Sequence, residues 1–376
     1  MKRLSNFVSS IDWLAFGATL PIMAAGLVTM RSFTGENYFS SRQLIWVLIS
    51  VVIFFVASRI DWRFLRRSSV VVGLYTVSFV ALLGLFIFSS AVKGAQSWFS
   101  LGLFAIQPVD LVKLVLVITL AKYFSRRHIE IANYRHIIVS GVYALVMFGV
   151  VALQPDFGSA IIIFLIWFGM VLVSGLSLKH LAIVLGTGVA TFVMLWFFVF
   201  APYQKERVLT FVDPERDIRG AGYNAIQSMV AVGSGGVVGK GVGYGTQSRL
   251  EFLPEYETDF IFAAFAEEWG FIGALLLFIF FGIVIWRILV TAARGSTNFE
   301  TFFGIGVAVL FMSHFIVNVG MNIGLLPVTG VTLPFMSYGG SHLVTEFLAL
   351  GILMGMRAYA RPAHADTSSQ ELLGPA

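Results

Sequence analysis

The sequence contains no cysteine, which removes disulfides, thiolate nucleophiles and cysteine-based metal sites from consideration. Charge is scarce as well: Asp, Glu, Lys and Arg make up 12% of the chain, against about 25% in an ordinary soluble domain. The six histidines show no metal-ligand spacing, and His314 and His342 read as packed imidazoles. No segment resembles a nucleic-acid-binding module. A net charge of +5 would suit an anionic partner, but basic residues gathered at helix ends give the same balance, so their distribution decides. Apolar residues are what the chain has in abundance. With 58% hydrophobic residues and a mean hydropathy of +0.87, the chain reads as a polytopic membrane protein.

A helix needs about 20 mostly apolar residues to cross the hydrocarbon core. Ten stretches meet that requirement, at about 13–31, 42–58, 70–89, 108–124, 137–153, 158–174, 181–201, 260–286, 302–325 and 341–358. The first could pass for a signal peptide, but nine further spans make it an uncleaved helix. Lys2, Arg3, the run from Arg59 to Arg67, that from Arg126 to Arg135, Lys179, Arg287, Arg294, Arg357 and Arg361 share one set of ends. Arg31, Arg42 and Lys93 are all that the opposite short loops hold. By the positive-inside rule both termini are cytoplasmic. The expectation is an all-α fold of ten transmembrane helices over 1–361, with the long loop 202–259 outside, between helices seven and eight. Residues 362–376 form a polar tail expected to be disordered.

Anions are rare, yet the stretch "PEYETDFIFAAFAEEWG", residues 254–270, holds five of the 20 Asp and Glu residues. Thr258 and Asp259 fall where the eighth helix begins, and a helix cap would explain them. Glu267 and Glu268 lie deeper, where a lone charge costs about 2.5 to 3.5 kcal/mol, and so call for a partner or a wet cavity. Asp259 and Glu267 are eight residues apart, roughly 12 Å of helix, too far for a paired-carboxylate glycosidase that needs about 5 to 9.5 Å. A single base is the better model.

"GSGGVVGKGVGYGTQ", residues 233–247, imitates a phosphate loop but has Ser234 where Gly is required and Gly241 where Ser or Thr is required. Its glycines serve tight turns or close backbone approach, or belong to a flexible surface segment. In "KGAQSWFSLGLFAIQPVDLVKL", residues 93–114, Asp110 and Lys113 are three apart and can pair on the fourth helix. Trp98 fits an interfacial belt. Asp156, in "LQPDFGSAI", precedes the sixth helix, where a cap is again the simple reading. "NVGMNIGLLPVTGVTLPFMSYGGSH", residues 318–342, breaks an apolar segment, and irregular backbone at membrane depth survives where it is buried in protein or lines a cavity.

These stretches, with "GYNAIQSMVAVGSGGVVGKGVGYGTQ" and "FLPEYETDFIFAAFAEEWGFIG", resemble in order and spacing the SEDS family of bacterial peptidoglycan polymerases, the RodA and FtsW proteins, over about residues 12–360. "GYGTQ" followed by "LEFLPE" is closer to the RodA branch. The resemblance implies a glycosyltransferase of the bacterial inner membrane that polymerises lipid II into glycan strands on the extracytoplasmic side. It also implies a class B penicillin-binding protein as partner. The family's essential aspartate falls on Asp259. Trp98, Lys113, Asp156 and the region of Lys240 carry over as substrate-binding residues; Asp110, Gln247 and Glu255 are expected to join them, Arg207, Lys240 or Arg249 to meet the leaving group's charge, and Glu257, Glu267 and Ser337 to support the cavity. No cofactor is required by the pattern; a divalent cation, Mg or Mn, would be compatible with it. The chain departs from the family at Ser97, where Arg is usual, at Val109 and Asp110, where Ser and Glu are usual, and at Glu257, where His is usual. Glu257 adds an anion two residues from Asp259, able to raise its pKa or to help hold a cation. A lipid II transporter or a silent scaffold for the penicillin-binding protein are the rival readings.

Overall fold

Apolar length becomes helix throughout. The computed structural model describes residues 11–33, 38–88, 99–101, 104–127, 134–175, 178–198, 202–217, 220–250 and 252–360. In chain order the helices are α1 (Trp13–Phe33), α2 (Tyr38–Ala57), α3 (Ser68–Phe88), α4 (Pro108–Arg127), α5 (Tyr134–Leu153), α6 (Phe157–Val173) and α7 (Leu178–Phe198). They continue with α8 (Pro202–Val212), α9 (Ala221–Ser234), α10 (Ile261–Ala293), α11 (Asn298–Asn322) and α12 (Gly340–Ala360). Each of the ten apolar stretches falls on one of these. Among the described residues six helices, α1, α2, α3, α5, α10 and α11, are long and apolar enough to cross a membrane. Ionisable residues lower the apolarity of α4, with Asp110, Lys113 and Lys122, and of α12, with His342, Glu346 and Arg357. Trp98 and the tail 362–376 lie outside the described residues.

Two features depart from the expected all-helical pattern with one open loop. A short antiparallel hairpin, β1 (Phe99–Leu101) and β2 (Phe104–Ile106), sets Ser100 opposite Ala105 just ahead of α4. Pro108 opens α4 and disfavours helical backbone at Gln107, so the approach is extended. The connection 202–259 is also more ordered than a glycine-rich loop: it carries α8, a 3-10 turn at Pro214–Asp217, α9 and a single turn at Thr246–Arg249.

The core is built around α11. Of its apolar window 61% is buried, against 22% for α2 and α3, which present their outer faces to the surroundings. α11 packs on α4, α6, α10 and α12; α10 packs on α1, and α12 on α2. At the basic ends, two acidic residues tie helices together. Asp12, just before α1, accepts from Arg287 of α10 at 2.6 Å and from Arg357 of α12 at 3.0 Å. Glu300 of α11 pairs with Arg66 and accepts from Ser296 N at 2.8 Å. Burial raises the Asp12 pKa, but the Arg287 and Ala15 hydrogen bonds and the two arginine charges outweigh it and hold the carboxyl below its ordinary value.

The expected eighth span is not one continuous helix. Gly270 adopts φ 65 and ψ −165 inside α10 and breaks it. The glycine-rich loop fills the break with main chain: Lys240 N and Gly241 N donate to Glu267 O and Glu268 O at 3.0 Å each. In return, Phe271 N donates to Gly236 O at 2.9 Å and Ile272 N to Val237 O at 3.1 Å. A β-carbon on Gly239 or Gly270 would collide with the backbone of the other strand of this crossing. Close backbone approach is therefore what these glycines provide. About 23 residues of helix remain beyond the break, roughly 35 Å, enough for one membrane crossing.

Candidate active site

Asp259 sits in a turn that a strained residue starts. Glu255 has φ 52, in the left-handed region, a conformation costing of order 1 kcal/mol or more for a non-glycine residue. Its carbonyl accepts from Thr258 N, Asp259 N and Phe260 N at 3.1, 3.1 and 3.2 Å. α10 begins at Ile261 with Phe260 as its cap residue, and Phe260 makes no side-chain cap bond. Asp259 thus stands one residue outside the cap position.

Three consecutive carbonyls of this turn are held from other elements. Tyr338 N donates to Glu257 O at 2.8 Å. Ser337 Oγ donates to Thr258 O at 2.7 Å and accepts from Leu333 N at 2.8 Å. Asn318 Nδ2 and Asn322 Nδ2 both donate to Asp259 O, at 2.9 and 3.0 Å. Gln43 of α2 secures the other side, donating from Nε2 to Ser337 O at 3.0 Å and accepting from Gly339 N at 3.3 Å. The Asp259 carboxylate borders Gly330: a β-carbon there would stand 3.4 Å from Oδ2, and Gly330 itself has φ 73. A half-buried aspartate is presented by a main chain with little room to shift.

The segment 329–331 also meets the start of α6. Gly158 packs on the backbone of Thr329 and the side chain of Val331. Asp156, two residues earlier, caps α6, accepting from Ser159 N at 3.0 Å through Oδ1 and from Gln107 Nε2 at 3.1 Å through Oδ2. Residues 329–331 thus lie between the start of α6, which Asp156 caps, and the turn that carries Asp259.

The other expected site residues fall into separate groups. Asp110 and Lys113 pair at 3.2 Å and are 3% and 4% exposed, enclosed by α11 and α12. Ser341 Oγ donates to Asp110 Oδ2 at 3.1 Å, and His342 Nδ1 lies 3.4 Å from Oδ1. His342 Nε2 is 2.9 Å from Glu346 Oε1. His314 faces His342 with ring centroids 4.6 Å apart, and its Nδ1 donates to Thr332 O at 3.2 Å. Lys240 does not join Asp259; it pairs with buried Glu267 at 2.7 Å and donates to Thr246 Oγ1 at 2.9 Å. Glu267 also accepts from the main-chain N–H groups of Thr246 and Gln247, at 2.8 and 3.1 Å. Arg249 ends that turn, exposed. Arg207 lies on α8, and its side chain is outside the described set.

A divalent cation would need converging carboxylates or imidazoles; among the described residues no group of three or more His, Asp or Glu could hold one.

Asn318, Asn322, Gly330 and Tyr338 lie in the broken stretch 318–342, where the sequence assigns them no individual role, and Gln43 lies in the apolar stretch 42–58, likewise with none. The available signal was the pair Asn318 and Asn322, four apart near the end of an apolar helix, a spacing that puts both amides on one face.

A polytopic helical membrane protein with one aspartate held by its main chain beside a glycine turn is the class that fold and site define. Comparison with known proteins narrows this. A family model described as "Cell cycle protein", covering FtsW, RodA and SpoVE, matches residues 5–362. The Escherichia coli (strain K12) peptidoglycan glycosyltransferase MrdB is 38% identical over 288 residues, 77% of this chain and 78% of that one. A chain from a solved peptidoglycan synthase complex that coordinates polymerization and crosslinking superposes with a TM-score of 0.80 at 28% identity, covering 93% of this chain and 98% of that one. The crystal structure of the Thermus thermophilus rod shape determining protein RodA gives a TM-score of 0.68 at 28% identity, covering 92% and 96%. The chain belongs to the FtsW, RodA and SpoVE family, the SEDS family that its motifs resemble.

Proposed function

We propose that this protein is a peptidoglycan glycosyltransferase that polymerises lipid II by inverting transfer, in the elongation branch of its family. All ten long helices then cross the bacterial inner membrane, with both termini cytoplasmic and 202–259 outside. The observation that carries the reading is the main-chain clamp on Asp259: three successive carbonyls fixed, at a half-buried carboxylate beside a glycine. A general base works when it is held within hydrogen-bond reach of the proton it removes.

Asp259 takes the proton from the acceptor sugar's 4-hydroxyl as that oxygen bonds to the donor's anomeric carbon. The bond from that carbon to the pyrophosphate breaks, and undecaprenyl pyrophosphate leaves with the electron pair. A pyrophosphate needs no protonation to depart, so one carboxylate suffices. Arg249, exposed on the turn after the glycine loop, is a better placed cation for the leaving group than Lys240, whose ammonium is engaged by Glu267. Arg207 is the second candidate. Asp156, whose carboxylate accepts from Gln107, and Trp98 are the further candidates for substrate contact. Glu255, Glu257, Gln247 and Ser337 are candidates for contact or support around Asp259, and the buried Asp110–Lys113 pair for bracing the helices. The synthase-complex relative supports a cross-linking partner of the class B penicillin-binding type.

The test is polymerisation of labelled lipid II by the purified protein, alone and with its partner blocked for cross-linking. Glycan ladders from wild type that disappear in folded Asp259→Ala support the assignment. Ladders that persist in the variant would make Asp259 structural, and none from either protein with partner present would move the reading to transport or scaffolding.

A further inference from the structure

The Asp259 carbonyl is where a helix ladder has been interrupted by a foreign side chain. In a helix that started one residue earlier, Asp259 O would accept from Ala263 N, the ordinary i to i+4 bond. Here Asn322, the last residue of α11, takes both places. Its Nδ2 donates to Asp259 O at 3.0 Å and its Oδ1 accepts from Ala263 N at 3.2 Å. The first helical bond of α10 that forms is Ala264 N to Phe260 O, at 3.1 Å. Asn322 is fully buried and is itself fixed: Nδ2 also donates to Asn318 O at 2.8 Å, and Ser228 Oγ of α9 lies 2.9 Å from its carbonyl oxygen and 3.2 Å from Oδ1. Asn318, one turn back, donates to the same Asp259 carbonyl and, at 2.7 Å, to Val331 O next to Gly330.

We propose that Asn322 is a positioning residue for Asp259: its amide splints the start of α10 open, keeping Asp259 out of the helix with its carboxylate against Gly330. The catalytic part of this inference rests on the lipid II polymerase reading; the positional part does not. A leucine at 322 has the same branching at Cγ, with more bulk, but neither donates nor accepts. Without the splint, Asp259 O and Ala263 N pair directly, the helix gains one residue with Asp259 as its cap, and the 259 side chain swings away. A misplacement of about 1 Å at a reacting group costs roughly 100-fold in rate.

The absence of cysteine makes both parts measurable. In full-length Asp259→Cys protein the single thiol reports its own position through its rate of modification by a charged methanethiosulfonate. Adding Asn322→Leu is expected to change that rate by about tenfold or more, and Asn322→Gln to leave it within about threefold of the parent; a rate that Asn322→Leu leaves unchanged would overturn the splint. With Asp259 intact, Asn322→Leu is expected to lower kcat for labelled lipid II about 10- to 100-fold with KM within about twofold, and Asn322→Gln to recover most of it. A full kcat in Asn322→Leu also overturns the proposal, while a wild type with no polymerisation overturns the function reading and leaves the thiol rates to judge the splint. Asn322→Ala provides the same two readouts where Asn322→Leu fails to fold.

Discussion

Asp259 and Glu267 lie eight residues apart at the start of the same helix and are held in opposite ways. At Asp259 the protein grips the main chain: Asn318, Asn322, Ser337 and Tyr338 donate to the carbonyls of residues 257–259. At Glu267 it grips the carboxylate, which takes Lys240, Thr246 and Gln247. A carboxylate saturated by such donors is a poor proton acceptor, because each hydrogen bond to the anion stabilises the charged form. A backbone-fixed aspartate has its position set through the main chain, whatever its carboxylate meets. The two acids thus divide the work of the cluster between reaction and architecture.

That division is tested first where the effect is largest. Asp259→Ala should lower polymerisation about 10³-fold, within the range for loss of a general base, with an unchanged melting temperature in detergent. Glu267→Ala should do the reverse, because it leaves Lys240 and two main-chain N–H groups without their acceptor. A loss of about 3 to 5 kcal/mol is expected for a broken buried ion pair, read as a large fall in melting temperature, with turnover per folded molecule falling far less than in Asp259→Ala. Glu267→Gln keeps part of that hydrogen bonding and should fall between; polymerisation and melting temperature both untouched would remove Glu267 from any supporting role.

A third acid sharpens the contrast from the far end of the molecule. Asp12 is held through its side chain, as Glu267 is, but away from any reaction, so Asp12→Asn should cost about 3 kcal/mol of stability with no change in the pH profile of turnover. Its carboxyl is depressed in the folded protein by Arg287 and Arg357. Such a group stabilises fully above its unfolded pKa of about 3.9 and loses that contribution as pH falls through the lower, folded value. Wild type should therefore lose melting temperature below about pH 4 more steeply than Asp12→Asn. The smallest effect is reserved for Gly330→Ala, a methyl 3.4 Å from Asp259 Oδ2 on a φ of 73. It should cost about 1 kcal/mol and lower kcat more than it raises KM.

Much of this was legible in sequence because it depends on composition over long windows. The ten apolar stretches land on helices, since 17 to 25 consecutive apolar residues carry a strong signal, and the cluster at 254–270 stands out in a chain so poor in charge. The break in α10 was not legible: Gly270 sits in an apolar run that reads equally well as one span, and what opens it is main-chain pairing with residues 236–241, distant in sequence. The same holds for Asn322. A side chain that substitutes for a hydrogen bond of another helix leaves no periodic trace in its own. Lys240 looked like a cation available to a ligand because sequence spacing does not show that Glu267 faces it.

The crossing at Gly270 has a mechanical side. Four main-chain hydrogen bonds stitch residues 236–241 to both sides of the break, so the loop and the first turns of α10 move as one body instead of two. Residues 261–266 then lead from that stitched crossing straight back to the turn that carries Asp259, so the loop and the aspartate are joined by six residues of continuous helix.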